Sequence, residues 1–553
     1  MITFYNLKIK IVGIRFSIFT QSSRVLLIKI VIVHTSKLKF LISTATVIFV
    51  FIAFTTQAQQ WLGISGSNYS GTNSVYNNPA NITDSRYKLY VNLGANDIFI
   101  ANNYAGYNAP YSMLKLLTNS AAQEYRNSKN VIIFKNSYYD INTVGEPYHI
   151  NMLDDLRTPS FLYTINSKRS VGLLSRVRTI VNFTDTSLPL ANLIRLGIDT
   201  LSLKNQAFSL SGTSVNVNSY AEFGVSYGQV LKDEDKDFIK IGVTLKRVVG
   251  IYNAHINIQE ANYDIINDPA EPKKQILRVN HLKADYGYTT EESYSNSKPS
   301  PQWMLGSQSA GSGWGIDLGF VYEFRPDIRK FTYREKGKKK LDASKNKYEF
   351  KLGISILDIG GIKYNNPYYV RNWEVGVDNK QFNSADVSMV KGLDDAFNRI
   401  NRTEGLSNDK NIHNFTTGLP TALQINVDYH LKDKFYVNSL WVQGMRGNQS
   451  ISMKMPSSLS ITPRWESKWI EVAIPFALLD NYNTFTFGLA TRLGPLFFGT
   501  DNLGSLLNIS SPRGTDLYFG LSLPIFNKPP TLPNACFYDK EEGKWWKFWK
   551  KRE

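Results

Sequence analysis

The chain has 553 residues, 42% of them hydrophobic and 13% aromatic, and a formal charge of +17. Its single cysteine, Cys536, excludes an intramolecular disulfide framework. Beyond residue 60 there is no apolar run of about 18 residues, which excludes a helical membrane span in the body of the chain.

The first 58 residues carry Lys8, Lys10, Arg15, Arg24, Lys29, Lys37 and Lys39 and no acidic residue. The apolar stretch FLISTATVIFVFIAF follows and leads to the small-x-small site Thr56-Gln57-Ala58. That order predicts a cleaved export signal over 1–58, with roughly the first 36 residues surplus to it and a mature start at Gln59. Removing those seven cations takes the charge from +17 to about +10. Much of the remainder sits in REKGKKKLDASKNK (334–347) and KWWKFWKKRE (544–553), so it is local and gives no groove for nucleic acid.

Residues 67–85 are rich in Asn, Ser and Gly and contain NNPANITDS; an abrupt alternation follows. In RYKLYVNLGAN the residues Tyr87, Leu89, Val91, Leu93 and Ala95 fall on one face and Lys88, Tyr90, Asn92, Gly94 and Asn96 on the other. The same period of two runs through YAEFGVSYGQV, DFIKIGVTLKR, GIDLGFVYEFR, KYEFKLGISI and ALQINVDYHL. Each repeat is about ten residues, with aromatics often at the ends of the apolar face, as in strands that cross a bilayer at a tilt. Soluble sandwich strands run shorter, about five or six residues. The expectation is an all-β transmembrane antiparallel barrel of about 14 strands, within a range of roughly 12–16, with an N-terminal hatch and short loop helices.

Helical spacing appears at 111–128, 187–198 and 385–400; in the last, Val387, Val390, Leu393, Phe397 and Ile400 share a face. The final strand reads TDLYFGLSLPIF, ends on Phe526, and is followed by Pro529 and Pro530, which cannot continue a sheet. The aromatic and basic tail suits either an anionic membrane surface or a disordered end.

Charge on a lipid-facing strand position costs about 2–4 kcal/mol at the bilayer midplane for Lys or Arg. Parity therefore assigns Lys88, Glu222, Lys240, Lys246, Asp317, Glu323, Glu349, Lys351, Asp428 and His430 to the lumen. Their mixed signs speak against a strongly ion-selective pore. No nucleophile elbow, phosphate loop, H-E-x-x-H or C-x-x-C occurs, and the six histidines are scattered. No catalytic residue, metal or cofactor is assigned. His430 is read as a polar lumen residue rather than the base of a wall hydrolase.

Three stretches, SGTNSVYNNPANITDSRYKLYVNL, ISILDIGGIKYN (354–365) and GPLFFGTDNLGSLLN (494–508), resemble a Bacteroidota outer-membrane barrel family of unknown function, numbered 5723. NNPA is also similar to the Asn-Pro-Ala signature of FadL-type channels, and the chain as a whole resembles FadL- and PorV-type barrels. The resemblance implies a hatch with Asn78, Pro79 and Ala80 at its turn. It implies the domain order 1–58 signal, 59–85 hatch, 86–527 barrel and 528–553 periplasmic tail. It further implies location in the cell outer membrane among its lipids and a non-enzymatic channel for small hydrophobic molecules. The alternative is a docking platform for secretion-system or surface proteins, of the type IX kind.

Overall fold

The computed structural model describes residues 61–530 apart from 198–202, 235, 270, 272–273, 296–299, 336–337, 384–397, 400, 403–410, 448–449 and 510–511. The expected signal, the mature start at Gln59, almost all of the tail and nearly all of the helix at 385–400 lie outside these residues.

Fourteen antiparallel wall strands close into a barrel. In chain order the first five are β1 (Tyr87–Asn102), β2 (Tyr148–Arg157, resumed as Ser160–Asn166), β3 (Arg169–Thr186), β4 (Ala207–Glu234) and β5 (Asp237–Asn267). Then come β6 (Gly311–Phe324), β7 (Phe350–Tyr364), β8 (Phe415–Gly418, resumed as Ala422–Lys432), β9 (Phe435–Gly444) and β10 (Ser458–Glu466). The last four are β11 (Ile470–Ala473, resumed as Phe476–Leu479), β12 (Thr484–Phe487, resumed as Leu489–Leu493), β13 (Leu496–Thr500) and β14 (Gly514–Phe526). Each break falls where the ladder loses a donor or bends. Thr158-Pro159 interrupts β2, Ile474-Pro475 interrupts β11 and Gly488 interrupts β12. β14 pairs with β1 from Phe526↔Tyr87 to Gly514↔Ala101, which leaves the wall without a free edge.

Burial follows the period of two. On β14, Phe519, Leu521, Leu523 and Ile525 are exposed while Asp516, Tyr518, Gly520 and Ser522 are buried. Val225, Leu245, Leu318 and Leu459 extend the same exposed apolar face around the barrel. A surface that is apolar outside and charged inside is the reverse of a soluble domain.

On β1 the expected parity fails. Register irregularities at Tyr87/Leu89 and Asn92/Gly94 rotate the strand, so Tyr87, Ala95 and Asp97 turn inward. Lys88 is exposed on the opposite side, where Nζ donates to the Thr164 carbonyl (2.6 Å) and lies over the Tyr163 ring.

The end of the barrel that carries Tyr87 and Phe526 has tight connections at 167–168, 433–434 and 467–469, and one longer segment at 325–349. Long connections gather at the other end. There β5 outruns the wall: its second half pairs with Gln275–Thr289, which pairs with Val370–Asn383, raising a sheet beyond the barrel. Loop helices are short. Ser187 caps Leu188–Leu196 at its N-terminus. The stretch 111–128 supplies only Met113–Leu117 and a 3-10 turn at Gln123–Tyr125, with Asn119 in the left-handed region between them. Among the described residues no helix is long and apolar enough to cross a membrane.

Candidate functional site: the occupied lumen

Residues 61–86 run inside the wall and touch the inner sides of strands all around it. At the start of this hatch, Trp61 is fully buried, stacks on Tyr518 of β14 and lies 3.7 Å beneath the Arg157 guanidinium of β2. The Leu62 N–H donates to Asp501 Oδ2 (2.9 Å), and the Tyr518 hydroxyl donates to Asp501 Oδ1 (2.9 Å). Ser67 Oγ donates to Glu471 of β11 (2.7 Å), and the Asn68 N–H donates to Glu466 of β10 (3.0 Å). These bonds run from the hatch to the buried carboxyl groups of Asp501, Glu471 and Glu466. Irregular backbone at membrane depth needs such partners.

The Asn-Pro-Ala turn sits on the opposite wall. Asn78 caps the 3-10 turn Pro79–Ile82, accepting the Ala80 N–H at 3.0 Å. Its amide donates to the Phe320 carbonyl of β6 (3.0 Å) and the Ile354 carbonyl of β7 (3.2 Å). Pro79 needs no donor there and fixes the turn. The turn comes this close because five neighbouring strands present glycine beneath it: Gly172, Gly228, Gly242, Gly319 and Gly353. Gly228 and Gly319 both pair directly with Gly242. A Cβ at Gly242 would stand 2.3 Å from the Pro79 carbonyl carbon, and one at Gly319 would stand 2.1 Å from Asn78 Oδ1. The wall is hollowed by glycine where the hatch rests.

Near the end of the hatch, Asp84 pairs with Arg325 (2.6 Å) and Lys347 (3.1 Å) of the 325–349 segment. Burial would push the Asp84 carboxyl up, but Lys347 and Arg325 together hold it below the usual carboxylate range.

Toward the loop end of the barrel, a buried charge network crosses the lumen. Arg176 and Arg178 of β3 bind Glu222 of β4 (2.8 and 3.1 Å), and Arg178 reaches Asp358 of β7 (2.8 Å). Lys246 of β5 binds Asp358 and Asp317 of β6 (2.7 Å). Three strands separate β3 from β7 in the wall, so the Arg178–Asp358 pair spans the interior. Removing one partner of such a buried pair costs about 3–5 kcal/mol. At the hatch level, Lys240 pairs with Glu323 (3.2 Å), and Lys351 shares Asp428 (3.5 Å) with Arg464 (2.7 Å).

Of the ten residues assigned inward by parity, Glu222, Lys240, Lys246, Asp317, Glu323, Lys351 and Asp428 are thus buried among these contacts. His430 is half-buried at the rim and stacks on Tyr436. Lys88 and Glu349 are exposed; Glu349 precedes the first residue of β7 and lies outside the alternation. Parity reasoning passed over Arg157, Arg176, Arg178 and Asp358. The pair in SRVRT could have been found, since both arginines share one strand face.

From the loop end, 450–457 also enters the lumen: Met453 is fully buried, and Lys454 Nζ donates to Ser214 (2.8 Å) and Thr184 (3.1 Å). With hydroxyl oxygens as its hydrogen-bond partners, burial pushes the Lys454 ammonium down to about 8. No cluster of His, Cys, Asp or Glu among the described residues is placed to hold a metal.

Residues 79–501 match a family of unknown function, DUF5723. The chain belongs to this family. Its match begins at Pro79, within the Asn-Pro-Ala turn, covers the DIGG bulge that carries Asp358, and ends at Asp501. No curated protein matches the chain. Among solved structures, the chain is similar to the Pseudomonas putida toluene transporter TodX at 9% identity, over 83% of this chain and 95% of that one, with a TM-score of 0.35. The Ralstonia pickettii toluene transporter TbuX gives 8%, 83%, 94% and 0.34. A Pseudomonas aeruginosa FadL homologue gives 10%, 85%, 98% and 0.28.

Proposed function

We propose that this chain is an outer-membrane channel of FadL-like architecture, closed at rest by its own residues 61–86, with no catalytic step. The exposed apolar face of a closed wall supports the membrane location. The observation that carries the channel reading is the hatch. It is held to the wall by separable polar contacts on a glycine seat, while the wall satisfies its own backbone. A lumen filler needed only for stability has no reason to rest on a cleared surface. The cargo is a small molecule, and the FadL resemblance points to hydrophobic ones. Conductance in planar bilayers tests this: deletion of residues 61–86 should leave a heat-modifiable, folded barrel with raised conductance. A folded barrel with unchanged conductance would overturn it.

One observation favours the docking-platform reading. β4 and β5, at 28 and 31 residues, carry a sheet well beyond the wall. If that crown binds a protein, trimming it should abolish the complex and leave hatch-dependent conductance intact.

A further inference from the structure

We propose that a cavity between the hatch and β5–β9 binds a small anion, a carboxylate or phosphate compound. The ligand class differs from the hydrophobic cargo considered above, although the site belongs to the same lumen.

The cavity has a volume of about 80 Å³, room for several waters or one small solute. Hatch serines and asparagines form one side, and β5–β9 with residues 345–348 form the other. Apolar side chains contribute little beyond Val321, Leu440 and the Tyr348 ring. An apolar guest would strip water from amides, hydroxyls and charges without replacing their hydrogen bonds, which is unfavourable.

Charge gives the sign. The lining carries five cations, Arg86, Lys240, Lys345, Lys347 and Lys351, against two carboxylates, Asp84 and Glu323. Those carboxylates are already shared. Glu323 serves Lys240 (3.2 Å) and Arg325 (2.5 Å), and Asp84 serves Lys347 (3.1 Å) and Arg325 (2.6 Å). Lys351 has Asp428 only in common with Arg464. Arg86 donates to Asn346 Oδ1 and the Tyr69 hydroxyl, and no carboxylate among the described residues lies within ion-pair range of it. Lys345 is exposed at the cavity mouth and makes no ion pair among the described residues. Glu466, the carboxylate that acts on Arg86 from farther away, is itself paired with Arg464 (2.6 Å), so the excess of positive charge persists.

The test is equilibrium binding, read by calorimetry on the full-length chain in detergent, so it fails or succeeds independently of conduction. The probes are citrate, glucose 6-phosphate and, as a neutral control, glucose. At least one anion should bind, and glucose should not. Citrate alone identifies a carboxylate ligand, and glucose 6-phosphate alone a phosphate ligand. Lys345→Gln, at an exposed position without an ion pair, should weaken binding by up to about fivefold, the scale of an exposed ion pair. Arg86→Gln should weaken it by about tenfold, as for a lost charge-assisted bond. Heat-modifiable gel mobility shows that each variant is folded. Failure of both anions to bind, equal binding of glucose, or unchanged affinity in both variants overturns the proposal.

Discussion

Substituting alanine for Gly242 should lift the hatch turn off the wall while leaving the wall intact. The new Cβ would lie 2.3 Å from the Pro79 carbonyl carbon and 2.4 Å from the Ala80 nitrogen, where ordinary contact begins at 3.4 Å. Both obstacles are backbone, so no side-chain rotation relieves them, and the turn must retreat by about 1 Å. Overpacking of this kind costs about 1–3 kcal/mol. The retreat also stretches the two Asn78 bonds to the Phe320 and Ile354 carbonyls, now 3.0 and 3.2 Å. Each is worth about 0.5–1.5 kcal/mol. The turn should thus be destabilised on its seat by about 2–6 kcal/mol. Strand pairing at position 242, with Gly228 on one side and Gly319 on the other, uses backbone groups that a methyl leaves alone. The matched control is Gly94→Ala, where an added Cβ meets nothing within 4 Å. Expected results are normal heat-modifiable mobility for both variants, with raised conductance and faster protease cleavage within 71–86 for Gly242→Ala alone. If Gly242→Ala behaves like Gly94→Ala in both assays, the glycine seat does not position the hatch.

Leu245 projects outward from the part of β5 that lies within the wall, and Leu431 projects outward at the end of β8. Leu245→Arg should cost about 2–4 kcal/mol and visibly reduce folded barrel on heat-modifiable gels, whereas Leu431→Arg should cost about 0–1 kcal/mol. Equal damage would mean that the apolar face is not graded by membrane depth. The Lys454 ammonium titrates near 8 in the folded chain against 10.5 for an ordinary lysine. In that window the unfolded loop binds more protons, so the stability of 450–457 rises with pH across it, by about 3 kcal/mol in all. Below about 8 the full cost of burying the charge is present. Lys454→Met removes that cost. The ratio of loop amide protection, variant over wild type, should therefore fall from pH 7 to pH 10; a ratio that does not change with pH contradicts the burial argument.

The wall was legible because two-faced strands leave an unambiguous trace. In β14 burial follows the alternation residue by residue from Asp516 to Leu523, and within the wall parts of β5 and β6 the inward positions Lys240, Thr244, Lys246, Asp317 and Glu323 are buried. Where a bulge inserts an extra residue, parity loses its meaning. Lys88 and Ala95 were misplaced on β1 for that reason, and Asp358 could not be placed at all. Asp358 has φ of 57° and is buried next to the equally buried Leu357, with Gly360 at φ 148° just after it. A left-handed residue is invisible to a rule of alternation, although Asp and Gly are the residues that tolerate it. Glu349 failed because the alternation was extended one residue past the strand. The hatch was suggested by NNPA, a resemblance rather than a pattern. Its seat was not foreseen, because Gly228, Gly242 and Gly319 are distant in sequence and become a surface only when their strands pair.

The hatch also sets an order of events in biogenesis. It precedes β1 in the chain, yet Trp61 and Leu62 are tied to Tyr518 of β14 and to Asp501, which directly follows β13. The β1–β14 seam joins the two ends of the wall and is the last to shut, since every intervening strand must be in place first. A segment bound across the lumen from that seam to Gly242 and Gly319 cannot be threaded through a finished cylinder without undoing contacts on both sides. It must be enclosed while the cylinder is still an open sheet. The nascent barrel therefore rolls up around its own N-terminal segment, which brings the late strands toward the middle ones before the seam is made.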